Sequence, residues 1–190
     1  MLDKSVPYAG LYMLRKADTP VVRFPLPAGF RFTFYNDGDE ADWARIETSV
    51  LEFDSVFSAL MLYKDNFLPH VFELRRRCMF IENSDGRKVA TSTAWWRDVE
   101  GQRRPWLHWV AVEPLYQGIG LGKAIISRVI DLMIDLDGEV DFYLSTQTWS
   151  YKAVGIYKAV GFQPTDEKAL YKGHRNNYRK AIRILRKLEV

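Results

Sequence analysis

The run Val110-Ala111-Val112-Glu113-Pro114-Leu115-Tyr116-Gln117-Gly118-Ile119-Gly120-Leu121-Gly122-Lys123-Ala124 constrains this chain more than any other stretch. A β-type apolar segment feeds a loop with three glycines. The loop opens a helix in which Ile125, Val129, Leu132 and Leu136 fall on one face. Glycines let the backbone approach a ligand closely and adopt positive φ. A helix N-terminus adds unpaired N–H groups and roughly half a positive charge. In that order they form a cradle for a pyrophosphate.

Two phosphate-binding patterns fail on spacing. The ATP/GTP P-loop needs glycine five residues ahead of a Gly-Lys pair and Ser or Thr after it, but Gln117 and Ala124 occupy those places. The dinucleotide pattern G-x-G-x-x-G ends on Lys123 if begun at Gly118 and on Ile125 if begun at Gly120.

The rest of the chain sets the loop in an α+β pattern. Pro20, Pro25, Pro27 and Gly29 mark a connecting segment, and Phe30 to Tyr35 reads as a strand. Asp39 is placed to cap a helix carrying Trp43, Ile46 and Val50 on one face, with Glu47 among them. A second helix is expected from Ser55 to Tyr63 and a short third segment from about Pro69 to Arg76. A meander follows: Cys78 to Glu82, a turn at Asn83-Ser84-Asp85-Gly86, Val89 to Arg97, a turn at Gly101, and Trp106 to Val112. After the glycine loop and its helix come a strand from Val140 to Ser145 and a helix from Ser150 to Val160, with Gly161 as its C′ residue. The tail from Asn177 to Leu188 is amphipathic and reads as a packed helix with a solvated basic face.

Composition narrows the function classes. With 190 residues the chain fits one domain with its own core. A net charge of +3 is too small to argue for nucleic acid. A lone cysteine, Cys78, excludes an intramolecular disulfide and suits a reducing compartment; in the run Cys78-Met79-Phe80-Ile81 it reads as an inert core residue. The first residues lack the apolar stretch of a signal peptide, and no window approaches the ~18 apolar residues of a membrane span. The expectation is a cytoplasmic protein that uses neither membrane nor nucleic acid, and nothing in the pattern calls for a metal.

One glycine pattern does fit. Gln117, Gly120 and Gly122 satisfy Gln/Arg-x-x-Gly-x-Gly/Ala, with Val110, Val112, Pro114 and Tyr116 upstream. A second segment agrees: Ala153, Ile156, Tyr157, Gly161 and Phe162 follow the spacing Ala-x-x-Leu-Tyr-x-x-x-Gly-Phe, with Ser150 where asparagine is common. The chain thus resembles the GNAT superfamily of acetyl-CoA-dependent N-acetyltransferases, specifically over about residues 77–163 and more weakly over 30–76. Residues 1–29 and 164–190 stand as extensions of a domain spanning 1–190.

The resemblance implies a central, mixed, mostly antiparallel sheet with helices on both faces, and acetyl-CoA as co-substrate. It implies direct attack of a primary amine, on a small molecule, on the thioester in a ternary complex. Backbone N–H groups of Gly118, Ile119, Gly120, Leu121, Gly122 and Lys123 would hold the pyrophosphate. The Val110-Ala111-Val112 edge would pair with the pantetheine arm, and Gln117 and Ser150 would add contacts. Tyr157 is the implied general acid for the departing thiolate. His108, two residues before Val110 and so expected on the same strand face, is a candidate base, with Glu113 and Glu47 as others. Of Trp95, Trp96, Trp106 and Trp109, most should be core and one or two could line the acceptor pocket. A protein N-terminus or lysine as acceptor, a non-catalytic acetyl-CoA-binding protein and a homodimer stay open at this point.

Overall fold

The computed structural model describes residues 2–167 and 174–190. The chain begins with β1 (Gly10–Arg15), β2 (Phe30–Phe34), α1 (Glu40–Ser49), α2 (Val56–Asn66) and α3 (Val71–Arg77). The meander is β3 (Cys78–Asn83), β4 (Lys88–Val99) and β5 (Gln102–Val112). Then come α4 (Leu121–Asp137), β6 (Phe142–Gln147), α5 (Tyr151–Ala159), β7 (Gln163–Thr165) and α6 (Tyr178–Lys187). The strands form one sheet in the order β2-β3-β4-β5-β6-β1-β7. Every neighbouring pair is antiparallel except β5–β6, which is parallel.

Strand alternation divides the core. Met79 and Ile81 of β3 pack with Ile125, Val129 and Met133 of α4, while Cys78 and Phe80 pack with Trp43, Ile46, Tyr63 and Leu74 of α1, α2 and α3. Helices therefore cover both faces, as the resemblance implied. Cys78 is fully buried within reach of the Tyr63 hydroxyl (3.8 Å), and burial pushes its thiol up to about 11, which fits an inert core residue. In α6, Ala181 and Leu185 are buried while Arg179, Arg183, Arg186 and Lys187 are exposed, so its basic face is the solvated one.

Two sequence expectations change. Residues 10–15, left within an N-terminal extension, form β1 between β6 and β7. Leu11, Tyr12 and Met13 are buried on both faces, so no alternation marks the strand. Asp39 precedes α1 but makes no capping bond; its carboxylate accepts from Asn36 N–H at 2.8 Å and pairs with Lys88 Nζ at 3.0 Å.

The position of the site follows from β5 and β6. Their described register is the single pair Trp106–Tyr143, whose rings stack at 5.4 Å and 18°, with Tyr12 edge-on to Trp106 at 5.8 Å. Beyond it the strands diverge. On the other side of β5, Thr91 pairs with Ala111 but Thr93 pairs with His108, so β5 carries an extra residue, and Trp109 takes φ 49°. Such a bulge bends its strand and raises local twist. It also reverses alternation: Leu107, Val110 and Val112 pack with the α4 cluster, and Trp109 and Ala111 with the α1–α3 cluster. His108, edge-on to Phe67 at 6.3 Å, is therefore not on the face of Val110, contrary to the period-two expectation.

Truncating Trp106 removes the ring at the point of divergence. Trp106→Ala should cost about 3–5 kcal/mol, read as a loss in Tm of roughly 2–4 °C per kcal/mol in thermal unfolding.

Candidate active site

Two cavities meet where β5 and β6 part. The first, about 220 Å³, is lined by Val110, Ala111 and Val112 of β5, by Gln117, Gly118 and Gly122 of the loop, and by Ser150, Ala153 and Ile156. The second, about 210 Å³, is lined by Glu47, Arg97, His108, Trp109, Thr146, Tyr157 and His174 among others. Glu52, Val110, Ser150 and Ala153 line both, so the two adjoin one another.

The loop geometry explains its glycines. Gly118 and Gly120 have φ of 84° and 100°, a region side-chain-bearing residues avoid, and Gly120 caps α4. Gly122 has ordinary φ and lines the first cavity, where an added Cβ would make ordinary contact with Ile156 Cδ1 at 3.4 Å and Val112 Cγ2 at 3.8 Å and a longer side chain would extend into the space. Gln117 Nε2 donates to the Val112 carbonyl at 2.8 Å and ties the loop to the strand end. Among the sequence candidates, Val110, Ala111, Val112, Gln117, Gly118, Gly122 and Ser150 face this cavity. Ile119, Gly120, Leu121 and Lys123 are not among its lining residues: Leu121 is buried in the core, and Lys123 Nζ lies over the Phe24 ring at 5.3 Å.

The second cavity gathers polar groups from both faces of the sheet. Glu47 comes from α1 and is 1% exposed, and its Oε1 has no hydrogen-bond partner among the described residues. His108 of β5 is 8% exposed, with Nε2 likewise unpartnered. Tyr157 enters from α5. Burial, reinforced by Glu52, holds the Glu47 carboxyl well above its usual range. Burial and then the positive charge of Arg97 hold His108 well below the usual imidazole range, so it is neutral. Burial, then Glu52 and Glu47, push the Tyr157 phenol up, and it keeps its proton. Glu52 accepts from Gln147 Nε2 at 3.4 Å, and its surroundings also raise it, chiefly by desolvation.

Glu113 is not brought into the gap. It accepts from Arg87 Nη2 at 2.8 Å and is bonded to Arg45, and it lines neither cavity. Its carboxylate ties α1 and the β3–β4 hairpin to the end of β5. Other lining residues carry no motif that would single them out. Leu2 reaches the first cavity because its N–H donates to the Val50 carbonyl at 3.1 Å, and Asp3 N–H donates to Trp149 O at 2.9 Å. Arg97 and His174 reach the second from distant segments. Of the four tryptophans, Trp109 lines the gap; Trp95, Trp96 and Trp106 are core. Among the described residues no group of three or more His, Cys, Asp or Glu is disposed to hold a metal ion, and no helix is long and apolar enough to cross a membrane.

Known proteins share this fold. The family model described as Acetyltransferase (GNAT) family matches residues 41–162, well over half of the chain. The thialysine N-epsilon-acetyltransferase of Sus scrofa is 35% identical over 65 residues, 34% of this chain and 38% of that protein. A GCN5-related N-acetyltransferase from Sphaerobacter thermophilus has a TM-score of 0.65 at 20% identity, covering 84% of this chain and 49% of that one. A predicted acetyltransferase from Clostridium acetobutylicum, solved with acetyl-CoA, gives 0.58 at 15% identity, covering 75% of this chain and 96% of that one. At these identities the two structures show a shared fold. The chain spans under two fifths of the length of the pig enzyme and about half that of the Sphaerobacter protein.

The buried carboxyl of Glu47 has a consequence for stability. A carboxyl whose folded pKa lies above its unfolded value favours the folded state below the ordinary value of 4.5 and loses that contribution as pH rises through the folded value. Glu47→Gln should therefore match the native chain in Tm near pH 4.5 and exceed it increasingly toward neutral pH, measured by thermal unfolding across pH. A Tm difference that does not change with pH would show that the carboxyl is not held protonated.

Proposed function

This chain belongs to the GNAT acetyltransferase family, and on that premise we propose that it transfers the acetyl group of acetyl-CoA to a primary amine of a small molecule inside the gap between β5 and β6. The observation that carries this reading is the adjacency of two cavities along that gap, one bounded by the glycine loop and the start of α4, the other by Glu47, His108 and Tyr157.

The first cavity fits a coenzyme A arm on three counts. Beyond Trp106 no β6 residue pairs with β5, so the Val110–Val112 edge is available to an added strand-like ligand. The N-terminus of α4 offers N–H groups and a positive dipole end to a pyrophosphate. Gly122 keeps clear the space that a side chain would fill. Acetyl-CoA supplies the activated acyl group. A backbone N–H on the Val110–Val112 edge would meet negative charge growing on the thioester carbonyl oxygen. A small molecule suits a cavity of about 210 Å³ walled from both faces of the sheet.

The protein's own residues then move protons. An ammonium must shed one proton before its lone pair can attack and a second as the amide forms, while the departing sulfur gains one. His108, neutral and with Nε2 unpartnered, takes the proton from nitrogen. Tyr157, held in its protonated form, donates to the sulfur. Glu47 offers an acceptor oxygen to the incoming N–H groups.

Acetyl-CoA at about 100 times its Kd should stabilise the fold by about 2.7 kcal/mol, while ATP and NAD should not. Gly122→Val should abolish that shift in a protein that still folds. Absence of any shift with millimolar acetyl-CoA in the unaltered chain would remove the reading.

Kinetics separates the two proton-transfer roles. Tyr157→Phe should lower kcat by roughly 10²–10⁴ with the acetyl-CoA shift retained. His108→Ala should lower kcat/KM and move its pH profile. A near-normal kcat in the first variant, or an unmoved profile in the second, removes that residue from the mechanism.

A further inference from the structure

The second cavity is chemically divided along its length, with carboxyl groups toward one end and a guanidinium toward the other. Its acidic end is formed by Glu47 and Glu52, and Glu52 also lines the coenzyme cavity. That end lies where β5 and β6 are far apart, since Glu52 is bonded to Gln147 at the end of β6. Its basic end is formed by Arg97. Arg97 pairs across β4–β5 with Arg104, behind Trp106, and its guanidinium sits over the Trp106 ring at 5.8 Å, near the point where β5 and β6 meet. His174 lines the cavity as well. From Arg104 to Val110 the strand rises by about 20 Å at roughly 3.3 Å per residue, part of which the side chains span.

Two further observations agree with this division. Tyr157 lies within electrostatic reach of Glu52 and Glu47, whereas His108 and His174 lie within reach of the Arg97 guanidinium. The unpartnered buried Oε1 of Glu47 marks the acidic end as built to receive N–H donors.

We infer that the acceptor is an amine that also bears an anionic group a few bonds away, an amino acid or a similar zwitterion, with its nitrogen between Glu47 and Tyr157 and its anionic group toward Arg97. This rests on the acetyltransferase reading of the same gap. The reacting nitrogen has to lie at the end shared with the coenzyme cavity, so the remainder of the molecule extends toward Arg97. A diamine would bring its second ammonium toward that cation, and like charges repel. An alkylamine would have nothing to offer it. A carboxylate meets a guanidinium in charge-assisted hydrogen bonds.

The test is acetylation by the full chain, followed as release of the CoA thiol, with ω-amino acids, alkylamines and diamines of matched chain length, together with α-amino acids. The unaltered protein, Arg97→Gln and Arg97→Lys are compared, each first checked for stabilisation by acetyl-CoA. Amines bearing a carboxylate should exceed their matched alkylamines and diamines in kcat/KM by about tenfold or more, the weight of one charge-assisted hydrogen bond. Arg97→Gln should erase that preference chiefly through KM, and Arg97→Lys should restore part of it. Equal or better turnover of alkylamines or diamines overturns the inference, as does a preference that survives Arg97→Gln. So does failure to acetylate any carboxylate-bearing amine by a protein that acetyl-CoA stabilises. If Arg97→Gln does not fold, the panel on the unaltered protein and Arg97→Lys decides. Lack of stabilisation by acetyl-CoA is a separate outcome, in which the reading of the gap falls and takes the inference with it.

Discussion

Everything in the site depends on one incomplete strand pair. β5 and β6 are parallel neighbours that meet at Trp106 and Tyr143 and then separate. Because they run the same way, their C-terminal ends lie on the same side, and each is followed by a helix that starts there, α4 after β5 and α5 after β6. The separation therefore opens between two helix N-termini, where N–H groups and positive dipole ends converge. The stacked rings of Trp106 and Tyr143, with Tyr12 against Trp106, fix the point at which pairing stops. A continuous β5–β6 ladder would have paired the Val110–Val112 edge and closed both cavities.

The buried and partly buried ionisable groups fall into two kinds. Some are paired and hold elements together: Glu113 with Arg45 and Arg87, and Arg77 with Asp137 at 2.9 Å and with Glu73 at 2.6 Å. Others are buried with an atom left unpartnered, as in Glu47 and His108. An unsatisfied buried polar atom costs about 1–3 kcal/mol. A core rich in tryptophan and phenylalanine could have filled these positions with apolar side chains. Where a chain keeps an unfavourable group against that alternative, ligand chemistry is the physical reason to look for first. The environment drives the two groups the same way chemically, since burial disfavours the charged form of both the carboxyl and the imidazole.

The coenzyme side of the site was legible because it is local. Gln117, Gly118, Gly120 and Gly122 act through spacing and φ, both of which are properties of a short stretch of chain, and Tyr157 sits at a fixed interval from Ala153 and Gly161. The acceptor side was much less so. Glu47 could be placed on the apolar face of α1, but its lack of a partner depends on what packs against it. Arg97 reaches the cavity through sheet order and His174 by packing its ring on Tyr12 of β1 at 4.8 Å, neither of which a local pattern encodes. Glu113 had the right residue type beside the right loop, and two arginines distant in sequence, Arg45 and Arg87, took its carboxylate. β1 escaped notice because a strand buried on both faces has no period to read.

The bulge in β5 explains why the base candidate could not be located by periodicity. One extra residue opposite β4 turns His108 and Trp109 toward α1 and α2 while leaving Leu107, Val110 and Val112 against α4. The positive φ at Trp109 is a strained conformation for a bulky residue, worth about 1–3 kcal/mol. Its ring, packed edge-on to Trp43 at 5.3 Å and stacked on Phe53 at 5.4 Å, supplies the contacts that offset that strain. In exchange a single strand serves two partners. It presents a backbone edge and small apolar side chains to the first cavity, and in the two residues just before them it presents an imidazole and an indole to the second. In a regular strand His108 would lie on the face of Val110, against α4, instead of beside Trp109.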